Sequence, residues 1–187
     1  MKKYIYLFAI LSLVILGCSE QSSILAPDTE VANNQLNWIA LPQSQEMSVE
    51  NSYSVNDLVT GLLGDNMYIN KTYKGGPYGR VTIEAKATFP MNSFNGIKLI
   101  TMTIDDRSCT ATFSPSMVFN KPVVYNVTFT GVDLSAVDAS KVRFAYLASN
   151  GSIELASNEG VTVDPATGTL KVKNAKIPHF SRYGFVN

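Results

Sequence analysis

Residues 80–89 read "RVTIEAKATF", and their alternation leaves little choice of backbone. Val81, Ile83, Ala85, Ala87 and Phe89 are apolar, with Thr82, Glu84, Lys86 and Thr88 between them. A helix turns about 100° per residue and would scatter that apolar set around its axis, whereas a strand places it on one face. The segment is therefore a strand with one buried and one wet face. Pro90 ends it, because proline cannot donate to the ladder.

The same period recurs along the chain. "MYINKTY" (67–73), "IKLITMTI" (97–104), "CTATF" (109–113) and "VVYNVTFT" (123–130) are apolar-rich stretches bounded by turn residues. In the last of these Val123, Tyr125, Val127 and Phe129 share a face, and Gly131 closes the strand. "VRFAYL" and "IELAS" flank Asn150-Gly151, a hairpin signal because both residues tolerate positive φ. "GVTVD" and "TLKVKN" flank the turn Pro165-Ala166-Thr167-Gly168, and "IPHFSRYGFV" reads as the closing strand. "DLSAVDASK" is a crossover loop with room for one helical turn. About nine short strands at close spacing, without helical periodicity, predict an all-β, antiparallel β-sandwich, immunoglobulin-like in general architecture.

Residues 67–187 make up that sandwich. Residues 35–66 leave alternatives open. "LNWIALP" is either a first strand or a patch docked on the domain, and "VNDLVTGLLGDN" either a strand or a helical turn.

The beginning of the chain has a different character. Lys2 and Lys3 precede a run from Tyr4 to Leu16 that is apolar except for Ser12. That run is shorter than the about 20 residues a membrane-spanning helix needs, and reads as a secretory signal. Ile15-Leu16-Gly17-Cys18 resembles the lipobox of bacterial lipoproteins. The resemblance implies removal of residues 1–17, lipidation of Cys18 and acylation of its amino group, with the membrane as a partner through that lipid. Ser19 beside it implies sorting to the outer membrane if the cell has one. Residues 18–34 then carry the lipid and a polar tether.

Several function classes are disfavoured by composition. The 15 basic and 15 acidic residues balance and form no blocks, so no nucleic-acid partner is expected. One histidine, no cysteine pair and no D-x-D-x-D-G loop predict no metal site, and no cofactor is expected. Cys109, in "CTATF", reads as a small core residue rather than a reactive thiol.

Two stretches are candidate sites. "YKGGPYGR" (73–80) is glycine-rich but is followed by a strand, so it lacks the helix a phosphate loop needs and reads as a turn. Tyr73 and Tyr78 beside its glycines are candidate ligand-binding residues, suited to stacking on a sugar or a partner protein. The second is "HFSRY", 179–183, which holds His179, the sole histidine. No G-x-S-x-G elbow accompanies it, so hydrolase chemistry of the triad kind is not expected.

"ATFSPSMVFNKPVVYNVTFTGVDLS" (111–135), "VRFAYL" and the terminal "HFSRYGF" together resemble the sandwich domain found in zonula-occludens scaffold proteins, netrin receptors and ankyrins, and in bacterial cell-surface relatives. Phe113, Pro115, Phe119, Pro122, Leu134 and His179-Phe180-Ser181-Arg182-Tyr183 carry the resemblance. Gly75-Gly76 is the nearest counterpart of the double glycine that opens the domain in that family. The resemblance implies a non-enzymatic interaction or structural module, with an envelope protein or a glycan as partner. It also implies an alternative. Some animal members cut themselves between Phe and Ser of a His-Phe-Ser sequence. Here the Ser181 hydroxyl would attack the Phe180 carbonyl, His179 would take the proton, and water would release the resulting ester. Seven residues of this sequence, starting at Ser181, follow that bond. A third expectation is a carbohydrate-binding surface module that uses the tyrosines.

Overall fold

The computed structural model describes residues 36–44 and 53–187. The signal segment, Cys18 and the tether lie outside the described residues. Eleven strands form two antiparallel sheets, so the chain is the expected all-β sandwich. They are β1 (Tyr53–Thr60), β2 (Asp65–Tyr73), β3 (Val81–Phe89), β4 (Ile97–Ile104), β5 (Thr110–Ser114), β6 (Val118–Thr130), β7 (Arg143–Leu147), β8 (Ile153–Leu155), β9 (Gly160–Asp164), β10 (Thr169–His179) and β11 (Arg182–Val186). One sheet has six strands in the order β1-β4-β5-β11-β7-β8, and the other has five in the order β2-β3-β6-β10-β9.

Period two is what fills the space between them. Val81, Ile83, Ala85, Ala87 and Phe89 of β3 are all buried, as are Val123, Tyr125, Val127 and Phe129 of β6. They meet Ile100, Met102 and Ile104 of β4, with Phe144, Tyr183 and Phe185 from the strands beside it. Cys109 is fully buried and its thiol donates weakly to the Ala40 carbonyl at 3.7 Å. Burial pushes the thiol pKa well up, so it stays protonated and inert.

Both open questions in residues 35–66 resolve in favour of the sandwich. Val55–Thr60 belongs to β1, and the apolar-glycine stretch after it is the turn into β2. "LNWIALP" docks as a patch. Its backbone threads between the end of β11 and the β4–β5 connection. Ile39 N–H donates to the Phe185 carbonyl at 2.9 Å, and the Ile39 carbonyl accepts from Cys109 N–H at 2.8 Å. Ile39 and Leu41 are buried by this insertion.

The closing segment differs from the expectation of one strand. Its first part, to His179, pairs with β6 in the five-stranded sheet. From Arg182 it pairs with β5 and β7 in the six-stranded sheet. Phe180 and Ser181 are the corner at which the chain changes sheets. This division, together with β1, gives more strands than the alternation alone suggests. The connection "DLSAVDASK" carries turns and no helix. Asp133 and Asp138 each accept from the amide and hydroxyl of the serine two residues on.

The double glycine has a steric cause. Gly76 has φ +66°, and a Cβ there would lie 2.5 Å from the Gly131 carbonyl oxygen. The loop between β2 and β3 can cross the end of β6 only without a side chain.

Candidate binding sites

Strand directions sort the loops into two ends of the sandwich. The described chain begins at one of them, where Asn37 and Asn187 exchange backbone hydrogen bonds of 3.2 and 3.1 Å. The β2–β3 and β4–β5 connections and the start of β1 share this end. The opposite end carries the β1–β2 turn, the β3–β4 turn, the β7–β8 hairpin and the Phe180–Ser181 corner.

The corner is held mainly by aromatic packing. The Phe180 ring stacks on Phe113 at 5.2 Å and meets Phe119 edge-on at 4.8 Å. Its N–H donates to the Met117 carbonyl at 2.8 Å. Ser181 donates its hydroxyl to the Leu147 carbonyl, while its own carbonyl accepts from Phe113 N–H at 3.2 Å. His179 lies edge-on to Tyr146, with ring centroids 5.1 Å apart, and the His179 carbonyl accepts from the Tyr183 hydroxyl at 2.8 Å. His179 and Ser181 thus line one cleft of about 740 Å³, together with Met117, Val118, Tyr146 and Glu154. The Ser181 hydroxyl hydrogen is engaged with Leu147, so attack on the Phe180 carbonyl would first have to break that bond. Glu154 accepts from the Tyr146 hydroxyl, which raises the phenol's pKa. Tyr146 and Glu154 had no signature in the sequence, because only the β7–β8 pairing brings them together.

The two candidate tyrosines separate. Tyr78 reaches across to the β9–β10 turn, where its hydroxyl donates to the Pro165 carbonyl at 2.6 Å. Tyr73, at the end of β2, stacks on Tyr53 of β1 at 5.8 Å and donates its hydroxyl to the Pro42 carbonyl at 2.7 Å. Lys71 Nζ sits 5.0 Å from the Tyr53 ring centroid, within cation–π range. Tyr53, Tyr73, Lys71, Lys74 and Arg80 line a recess of about 330 Å³. Burial, with Tyr53 close by, raises the Tyr73 phenol, so it remains a neutral donor. Tyr53 is raised by burial first and by the Asp106 charge second.

At the end away from Asn37 the surface is unusually apolar. Leu62 and Leu63 occupy the β1–β2 turn, Met91 the β3–β4 turn, and Ile97 begins β4. All are exposed, Leu63 at 74%. The two turns are bonded to each other, Gly61 N–H to the Gly96 carbonyl at 3.0 Å and Ser93 N–H to the Gly61 carbonyl at 3.1 Å. Leu58 and Leu99 extend the patch as directly opposed residues on the outer face of β1 and β4. "TGLLGD" did carry a signal for this, since two leucines held between glycines in a tight turn have no core to enter.

Among the described residues no group of three or more His, Cys, Asp or Glu side chains could hold a metal ion, and no helix is long and apolar enough to cross a membrane. No family model, curated protein or solved structure matches the chain.

Proposed function

We propose that the chain is a lipid-anchored, non-enzymatic interaction module of the bacterial cell envelope, attached through Cys18 and presenting its apolar turn tips to a protein partner. The observation that carries this reading is the cluster Leu58, Leu62, Leu63, Met91, Ile97 and Leu99. Water-exposed leucines scattered singly need no explanation, but a contiguous set marks a contact surface.

A protein suits this surface better than the bilayer. The chain coming from Cys18 joins the sandwich near Asn37, at the opposite end. Residues 19–35, fully extended, span at most roughly 60 Å, enough to reach a partner beyond the lipid surface.

Photo-crosslinking on cells tests the reading. A benzophenone amino acid at position 63 is expected to give one discrete protein adduct. That adduct should vanish with Met91→Glu, and the same probe at position 173, exposed on the outer face of β10, should not give it. An adduct to lipid alone, or equal adducts at both positions, overturns the proposal. The anchor is checked separately, since fatty-acid labelling should be lost in Cys18→Ser.

A further inference from the structure

The recess beside β1 and β2 lies at the tether end, away from the apolar tips, and has a different chemistry. β1 is the edge strand of the six-stranded sheet and β2 the edge strand of the five-stranded sheet. The sandwich is therefore open along this side, and side chains pointing between the sheets reach solvent. Lys71 and Tyr73 are two residues apart on β2 and share one face of the strand, and both reach Tyr53 of β1. Arg80, just before β3, and Lys74 close the recess.

We propose that this recess binds the carboxylate of an acidic saccharide. Lys71 and Arg80 line it, with Lys74 at its border. Among the described residues, the acid whose charge acts on its tyrosines is Asp106, which lies 4.0 Å from Arg107 Nε. No described carboxylate pairs with Lys71 or Arg80. An arginine fork and an ammonium together match the two oxygens of a carboxylate. The walls add what a sugar ring requires, namely tyrosine rings for its C–H face and the hydroxyl-bearing Thr72 and Ser44 at the border. At about 330 Å³ the space lies at the small end of ligand pockets and suits one ring, with the open edge letting a chain run on in both directions.

The geometry is also held in place before any ligand arrives. Tyr73 is pinned through its hydroxyl to Pro42, and Thr72 bonds Thr82 across β2 and β3 at 3.2 Å. Lys71 rests on Tyr53, which positions its ammonium. Such preorganisation lowers the ordering cost of binding.

The test is calorimetric titration of residues 18–187 carrying Cys18→Ser, which keep both sheets and the whole described core. Trigalacturonate, neutral trigalactose and inorganic phosphate are the three probes. Trigalacturonate is expected to bind, to bind about tenfold more weakly in Lys71→Gln and in Arg80→Gln, and to weaken between about 0.05 and 0.5 M salt. Both side chains are on the surface, and matching unfolding midpoints would show that the variants are folded. Phosphate binding as tight as trigalacturonate would overturn the saccharide, as would equal binding of the neutral sugar. Absence of binding, or binding unchanged in both variants, would also overturn the proposal. Because the crosslinking position lies at the other end, either result stands without the other.

Discussion

Phe180 carries the sheet change by burying its ring against Phe113 and Phe119 while its backbone N–H stays bonded to Met117. Its neighbours serve the same corner, Ser181 through Leu147 and His179 through Tyr146. Ser181–Asn187 includes β11, which lies inside the six-stranded sheet between β5 and β7. The intact mass of the processed chain is therefore expected to include these residues, and to stay full-length in Ser181→Ala apart from the substituted oxygen. A product ending at Phe180 would establish self-cleavage instead. A second residue-scale prediction concerns Tyr125. Its ring is fully buried, yet its hydroxyl has no hydrogen-bond partner in the protein. Burying an unpaired hydroxyl costs about 1–3 kcal/mol, so Tyr125→Phe removes a penalty and keeps the packing against Phe113 and Phe144. Urea unfolding is expected to show the variant more stable by about 1 kcal/mol, and a loss of that size would reveal an unseen partner.

At the scale of elements, alternation was a sound guide wherever one face is wet. β3 lies within "RVTIEAKATF" and each of its inward residues was readable in advance; in β6 the inward residues Val123, Tyr125, Val127 and Phe129 were readable, whereas Phe119, before Pro122, was not. The Asn150-Gly151 and Pro165–Gly168 turns were legible for the same reason, since the backbone needs positive φ at Gly151 and Gly168. The pattern failed in two informative places. Ala175 and Ile177 point inward on odd numbers, then Phe180 does so on an even one, then Tyr183 and Phe185 on odd numbers again. That double shift of parity is the sheet change, and it was present in the sequence but masked by the aromatic run. In β1 the exposed Leu58 and Asp57 blur the alternation of Tyr53, Val55 and Val59, which is why strand and helical turn stayed equally open. The apolar residue on the outer face that obscured the element belongs to the proposed contact surface, as expected where function overrides local consistency. The docked segment 36–44 could not be read from period at all, because its bonds run to residues far along the chain. Those bonds make a prediction. A chain starting at residue 67 lacks both β1 and this segment, leaving Cys109 and the Phe185 carbonyl uncovered and β4 as a new apolar edge. It is expected to lose the dispersed, native-like amide spectrum of residues 18–187, and a chain starting at residue 35 to keep it.

At the scale of the whole molecule the two proposed contact surfaces lie at opposite ends of the sandwich. The balanced charge of the sequence hides the cations of the recess, because acids such as Asp133 in the β6–β7 connection offset them. The far end is apolar for a reason that folding alone does not supply. Gly61 N–H and Ser93 N–H tie the two turns together through backbone bonds, so Leu62, Leu63 and Met91 are not needed to hold them. Replacing Leu63 or Met91 with Glu is therefore expected to change unfolding free energy by no more than about 0.5 kcal/mol, the range of ordinary surface substitutions. The same changes should abolish the crosslinked adduct, because a buried unpaired carboxylate at an apolar contact costs several kcal/mol. Stability measured by denaturant and contact measured by crosslinking should thus come apart at these positions. If both fell together, the leucines would be serving the fold and not a partner. If neither changed, the apolar tips would be bystanders, and the recess at the other end would be the part of the surface that remains to act.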